Sequence, residues 1–177
     1  MRKQGVQLKR ISLHAAAGYC IIPMLYFLPL FLMQSLEKNF TGFLSDARFS
    51  PAAVVTAVCI LIFYTLEFIY FFGTVPVKRD MILFLLGAVF SVLVPYRTDQ
   101  SLLSGLHLAA AFLMFFFLQK GIFLVLSAEQ KLLQYDIILC VFCAFLCFTA
   151  GQITGLAEAV YGSGSAILLT YLREKSK

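Results

Sequence analysis

The chain has 177 residues, 61% of them hydrophobic and 13% charged, with a formal net charge of +5 and a mean hydropathy of +0.90. That composition leaves no room for a soluble domain beside membrane spans. It also sets nucleic acid aside, because the basic residues flank apolar runs, where membrane orientation and anionic lipid account for them. The sequence predicts an all-α, polytopic integral membrane protein in which residues 1–177 form one bundle of six transmembrane helices.

The first span is expected at 15–33, behind Arg2, Lys3, Lys9 and Arg10. A signal peptide begins in the same way, but this run is long and no small-x-small cleavage site follows it, so it reads as a retained span. From Gln34 to Pro51 runs a connection carrying Glu37, Lys38, Asp46 and Arg48, long enough to fold over a helical bundle as a lid or partner surface. Within it, Asn39-Phe40-Thr41 is a glycosylation sequon, with meaning only in a lumenal loop of a eukaryotic protein. The second span is placed at 52–72 and the third at 81–96.

The apolar part of the third, Met81 to Val94, comes to about 21 Å of helix, short for a hydrocarbon core of about 30 Å. Charge decides whether it crosses. With six crossings and a cytoplasmic N-terminus, 11 of the 14 basic residues lie inside: Arg2, Lys3, Lys9, Arg10, Lys78, Arg79, Lys120, Lys131, Arg173, Lys175 and Lys177. Only Lys38, Arg48 and Arg97 lie outside. Without the third crossing the two sides would balance and the positive-inside bias would vanish, so six spans with both termini cytoplasmic is the expectation.

The remaining spans are placed at 102–118, 135–153 and 156–172. Gly151 and Gly155 form a Gly-xxx-Gly pair, and Ala159, Ser163, Ala166 and Thr170 continue small residues along the sixth span, as Gly105 and Ala109 do on the fourth. Such stripes let helices approach closely, and intramolecular packing takes precedence over dimerisation because six helices must first pack together. Tyr70, Tyr96, Tyr135 and Tyr171 fall near span ends, where the ring suits the interface.

Few constellations carry chemistry. Cys140, Cys143 and Cys147 share a helix face, but the outer two are about 10 Å apart along the axis, too far for one zinc, and they read as buried thiols. His14 and His107 belong to opposite leaflets, which argues against a metal or haem held by both. No metal or cofactor is implied. Glu67 and Asp136 lie toward the inner side, where His14, Lys78 and Arg79 are available to neutralise them, and read as an interfacial ion-pair set. At the outer side Arg97, Asp99, Ser104 and His107 gather at the start of the fourth span and Glu158 enters at the top of the sixth. Ionisable groups inside a membrane face the bundle or a cavity, so His107 and Glu158 are expected in contact, directly or through a water or headgroup. Both a structural pin between two helices and a binding site for ligand or partner satisfy that expectation.

Three stretches carry a family resemblance: Phe43-Leu44-Ser45-Asp46 followed by Pro51, the segment from Leu106 to Phe112 after Val94-Pro95, and Ala157-Glu158 leading to Leu169-Thr170-Tyr171-Leu172. Together they resemble the six-span Frag/DRAM/Sfk superfamily, which includes damage-regulated autophagy modulators and proteins linked to GPI-anchor maturation and membrane lipid organisation. The resemblance implies that Ser45, Asp46 and Pro51 match a first-loop signature, His107 a fourth-helix histidine and Glu158 a sixth-helix acid. The functional expectation is a non-enzymatic, lipid-interacting regulator or assembly factor with membrane lipid and a membrane protein as partners. A substrate-binding subunit of a small-molecule transporter is the alternative. An intramembrane transferase or hydrolase with His107 as general base, oriented by Asp99 or Glu158 and beside the Ser104 hydroxyl, is a third.

Overall fold

The computed structural model describes residues 12–46, 48–73, 78–94 and 101–177. Apolar segments that meet no water must satisfy their backbone internally, and helices do so within one segment. Accordingly, among the described residues there are helices and no strands.

The first helix, α1 (Leu13–Met33), is capped by Ser12, whose hydroxyl accepts from the Ala15 N–H at 3.1 Å. Pro23 has no N–H to continue the ladder and its ring crowds the preceding turn. The chain there carries a π-turn over Ala17–Ile21 before resuming α-helix over Ile22–Met33. Beyond α1 follow a short α2 (Phe40–Ser45), then α3 (Ser50–Phe72), α4 (Lys78–Leu93), α5 (Ser101–Leu126), α6 (Gln130–Ala150) and α7 (Gly155–Lys175).

Successive long helices run in opposite directions. At one end, here the loop end, the Leu156 N–H donates to the Leu36 carbonyl and Thr41 meets His107. At the other, the terminal end, Ser12 meets Glu174, Tyr70 meets Ser176 and Lys175 meets Glu129. Leu13–Met33, Pro51–Phe72, Leu102–Leu126 and Gln130–Ala150 are each long and apolar enough to cross a membrane. They turn large apolar side chains outward, among them Phe31, Val55, Phe112, Phe116, Val141 and Phe145. Water penalises such a surface and hydrocarbon does not.

α7 is different. It carries Glu158, Ser163, Ser165 and Thr170, yet 11 of its 21 residues are buried, because it packs on both α1 and α6. Its small residues make room for neighbours: a Cβ at Gly162 would strike the Tyr26 ring of α1, and one at Gly155 would strike the Lys38 carbonyl and Leu30. Ala159, Ser163, Ala166 and Thr170 are all buried, as the stripe predicts. α4 and α5 form an equally close pair, in which a Cβ at Gly87 would lie 2.7 Å from the Met114 backbone nitrogen.

Several expectations are corrected. Gly151 is not part of the packing stripe: it is exposed, a Cβ there would meet nothing within 4 Å, and it ends α6 in the left-handed region at φ 66°. Gly151 and Gly155 therefore lie on different sides of a helix break, and their spacing of four is not one helical turn. Gly105 and Ala109 are exposed rather than packed. The fourth helix, expected to stop at Leu118, continues to Leu126, and the fifth begins at Gln130. The third ends at Leu93, and its proposed extension through Pro95 and Tyr96 lies outside the described residues.

Candidate functional site at the loop end

α2 is six residues long, too short to persist unless its free N–H groups find partners. Asn39 supplies one: its side-chain oxygen accepts from the Gly42 N–H at 3.0 Å. Glu158, in the first turn of α7, supplies another, its Oε2 accepting from the Phe40 N–H at 2.6 Å. A carboxylate at a helix N-terminus also meets the positive end of that helix, so this bond is favoured twice. Phe43 follows on the same short helix and is wholly buried, packed edge-on to Phe40 and tilted against Phe49.

His107 holds the next residue of the loop. It is 2% exposed, and its Nδ1 lies 2.7 Å from the Val94 carbonyl oxygen. A carbonyl only accepts, so Nδ1 carries a proton, and in the neutral ring Nε2 then accepts from the Thr41 hydroxyl at 3.1 Å. Glu158 and His107 thus converge on consecutive residues, Phe40 and Thr41. The sequence places the two groups in contact directly or through a water or headgroup; the structure shows each bonded to the outer connection, at neighbouring residues. Asn39 adds a third tie, its amide donating to the Ile153 carbonyl at 3.3 Å, so both polar residues of the sequon are engaged.

The other expected members distribute differently. Asp46 faces Arg48, accepting from its backbone N–H and Nε at 3.0 Å each and from its guanidinium at 2.7 Å. Those bonds hold its carboxyl well below the usual range, at about 2. The pair is a self-contained turn beside the site, with the Arg48 guanidinium 5.2 Å above the Phe49 ring. Ser104 is half-buried on α5, one turn before His107. Arg97 and Asp99, and the side chain of Ser45, lie outside the described residues. At the loop end a cleft of ≈ 200 Å³ opens between Leu36, Glu37, Leu146, Thr149, Ala150, Thr154 and Leu156. Its lining is mostly apolar and includes two threonines and one glutamate.

At the terminal end Glu67 is fully buried on α3. His14 Nε2 lies 2.7 Å and Arg173 Nη1 3.3 Å from its Oε1, and Arg173 stacks over the Tyr70 ring at 4.1 Å. His14 was expected as a partner and Arg173 was not. Arg79 instead lies 3.8 Å from Asp80, which also takes Lys120, and the Lys78 side chain is outside the described residues. Asp136, placed with Glu67 in one ion-pair set by the sequence, is separate from it: its Oδ2 accepts from the Gln119 amide at 2.9 Å, and the Gln119 carbonyl accepts from the Tyr161 hydroxyl. Nearby the Tyr64 hydroxyl bonds Ser165 at 2.7 Å and the Gly162 carbonyl at 3.0 Å.

Cys20, Cys59, Cys140, Cys143 and Cys147 are all free thiols, and no group of three metal-ligating side chains converges among the described residues. No protein-family model, curated protein or solved structure matches the chain.

Proposed function

We propose that this chain is a six-span integral membrane protein with both termini cytoplasmic. It acts without catalysis, as a lipid-interacting regulator or assembly factor that takes a phospholipid headgroup at the loop end. The alternation of the six long helices supports the topology. α7 is too polar to stand in lipid alone, but its neighbours shelter it, so its low hydropathy does not argue against a crossing. α4 spans about 24 Å by its 16 residues and runs along α5, which matches the 11 to 3 partition of basic residues.

One observation carries the functional reading. His107 and Glu158 hold Thr41 and Phe40 a few residues along the chain from Leu36, Glu37, Thr154 and Leu156, which line an open cleft at the loop end. Of its lining residues, Glu37, Thr149 and Thr154 offer acceptors and hydroxyls to a headgroup, and Leu36, Leu146 and Leu156 offer apolar surface to an acyl chain. The resemblance to the Frag/DRAM/Sfk superfamily, which rests partly on His107 and Glu158, points to the same lipid-organising class.

Native mass spectrometry of the full chain released from detergent tests this. Wild type is expected to retain a phospholipid, and Thr149→Val, which removes a cleft hydroxyl and leaves the Thr154 cap of α7 intact, is expected to retain less. A retained vitamin-sized molecule or a co-purifying ATPase would favour a transporter subunit, and a covalent acyl adduct an enzyme. Wild type that carries no phospholipid under any release condition would refute the proposal.

A further inference from the structure

Asp136 is the one buried carboxyl among the described residues for which neither a cation nor a helix N-terminus provides balance. Glu67 has Arg173 and His14, Asp80 has Lys120, and Glu158 has the first N–H of α2. Asp136 is fully buried on α6 and makes one bond, to the Gln119 amide of α5. Its other oxygen, Oδ1, is buried without a partner. Tyr161 of α7 is linked to it through Gln119, and Tyr64 of α3 and Cys140 of its own helix are the other titratable side chains near it. Lys131, five residues earlier on α6, is exposed at the surface. An isolated carboxylate in such a setting costs several kcal/mol or more, and the group escapes that cost by taking a proton.

Gln119 makes both states of such an acid workable. With Asp136 ionised, the amide NH₂ donates to Oδ2 and the amide carbonyl accepts from Tyr161, as described above. With Asp136 protonated, the amide turned by 180° accepts the acid O–H at its carbonyl and donates its NH₂ to the Tyr161 oxygen. Both arrangements use the same heavy-atom positions, because an amide's oxygen and nitrogen are nearly equal in shape. A sodium ion is a poorer occupant, since hard cations take about six oxygen ligands, and the hydrogen-bonded chain here supplies the carboxyl, one amide oxygen and one phenol. We infer that Asp136, Gln119 and Tyr161 form an intramembrane proton-binding site, in which one proton on Asp136 reverses the hydrogen-bond direction through Gln119 from α6 to α7. Buried acids that load and unload a proton are characteristic of proton relays in membrane proteins.

Infrared difference spectroscopy of the full chain in lipid bilayers, wild type against Asp136→Asn, reads this directly. In mildly acidic buffer wild type is expected to show one protonated-carboxyl band that Asp136→Asn lacks, and that band should convert reversibly to a carboxylate band as the pH rises. Tyr161→Phe, which removes the hydroxyl at the far side of Gln119, should move the midpoint by about one pH unit, a tenfold change in proton affinity, while the band itself survives. A carboxylate band at every pH would overturn the inference. So would a protonated band that never titrates, since that marks a permanently neutral structural acid. Asp136→Asn reproduces the shape and neutrality of the protonated side chain, so its failure to fold would also count against the inference.

Discussion

At the terminal end Glu67 lies between Arg173 and His14, side chains from two other helices, whereas at the loop end Glu158 meets a main-chain N–H of a six-residue helix. The first arrangement joins three long elements through a carboxyl, a guanidinium and an imidazole. The second joins one long helix to a loop through a carboxylate and a neutral donor, with His107 repeating the pattern at the next residue through the Thr41 hydroxyl. Charge pairs buried between helices are costly to break and leave nothing for a ligand to replace. Bonds to a loop are individually weaker and can be exchanged for those of a headgroup without leaving a charge stranded. The contrast puts the costlier ties at one end of the bundle and, on the proposed reading, recognition at the other.

Removing a cation from the terminal end should have the largest effect. Arg173→Ala strands the buried Glu67 carboxylate beside His14 and is expected to cost about 3 to 5 kcal/mol, read as a lowered thermal midpoint in detergent. Glu67→Gln combined with Arg173→Met should recover much of that loss. If the double variant is no better than Arg173→Ala, the pair is not what holds the terminal end.

At the loop end the cost is smaller and confined. His107→Gln and Glu158→Gln each weaken one tie to α2, by about 1 to 3 kcal/mol, and their effects should be non-additive because the ties act on adjacent residues. Hydrogen exchange should quicken over residues 39–45 and stay unchanged at Glu67. Exchange that quickens throughout would mean that the loop ties hold the whole bundle.

Between the ends, the buried stripe of α7 offers a packing test. Ala159, 1% exposed, has no space for a larger side chain, so Ala159→Leu should cost about 1 to 3 kcal/mol through overpacking. Ile167 is 40% exposed on the same helix, and Ile167→Leu should be nearly silent. Equal responses would mean that the Ala159 face of α7 is not closely packed.

The sequence carried the helices because hydrophobic runs and positive charges are local signals. It misplaced the end of the fourth because Gln119 and Lys120 look like a stop. In the folded chain Lys120 is paired with Asp80 and Gln119 with Asp136, so neither interrupts the helix. Gly151 was misread because a spacing of four implies one turn only where the helix is continuous, and Thr154, whose hydroxyl accepts from the Ala157 N–H, starts a new one. His107 and Glu158 were legible as inward-facing polar groups beside small residues. Their partners were not, since a backbone N–H has no sequence signature and Thr41 is an ordinary loop residue. The division of Glu67 and Asp136 between different networks was equally hidden, because both lie toward the same side and only packing assigns Arg173 to one and Gln119 to the other.

The smallest effect belongs to the Asp46 and Arg48 pair. Its carboxyl is held at about 2, below the ordinary value of 3.8, so whatever stability it adds is present above the ordinary value and lost as the pH falls toward 2. Both side chains border solvent, which screens the pair. Asp46→Asn should leave the thermal midpoint at neutral pH unchanged within error, and a clear drop would place Asp46 inside the site rather than beside it.

The most direct measurement compares both ends for one property, the phospholipid retained per folded molecule. Native mass spectra of wild type, His107→Gln, Glu158→Gln and Glu67→Gln, each selected for folded protein by size exclusion, give that ratio. Recognition at the loop end predicts that His107→Gln and Glu158→Gln lose the lipid while still folded, and that Glu67→Gln, although less stable, keeps it. Lipid lost from Glu67→Gln and kept by both loop-end variants would contradict it.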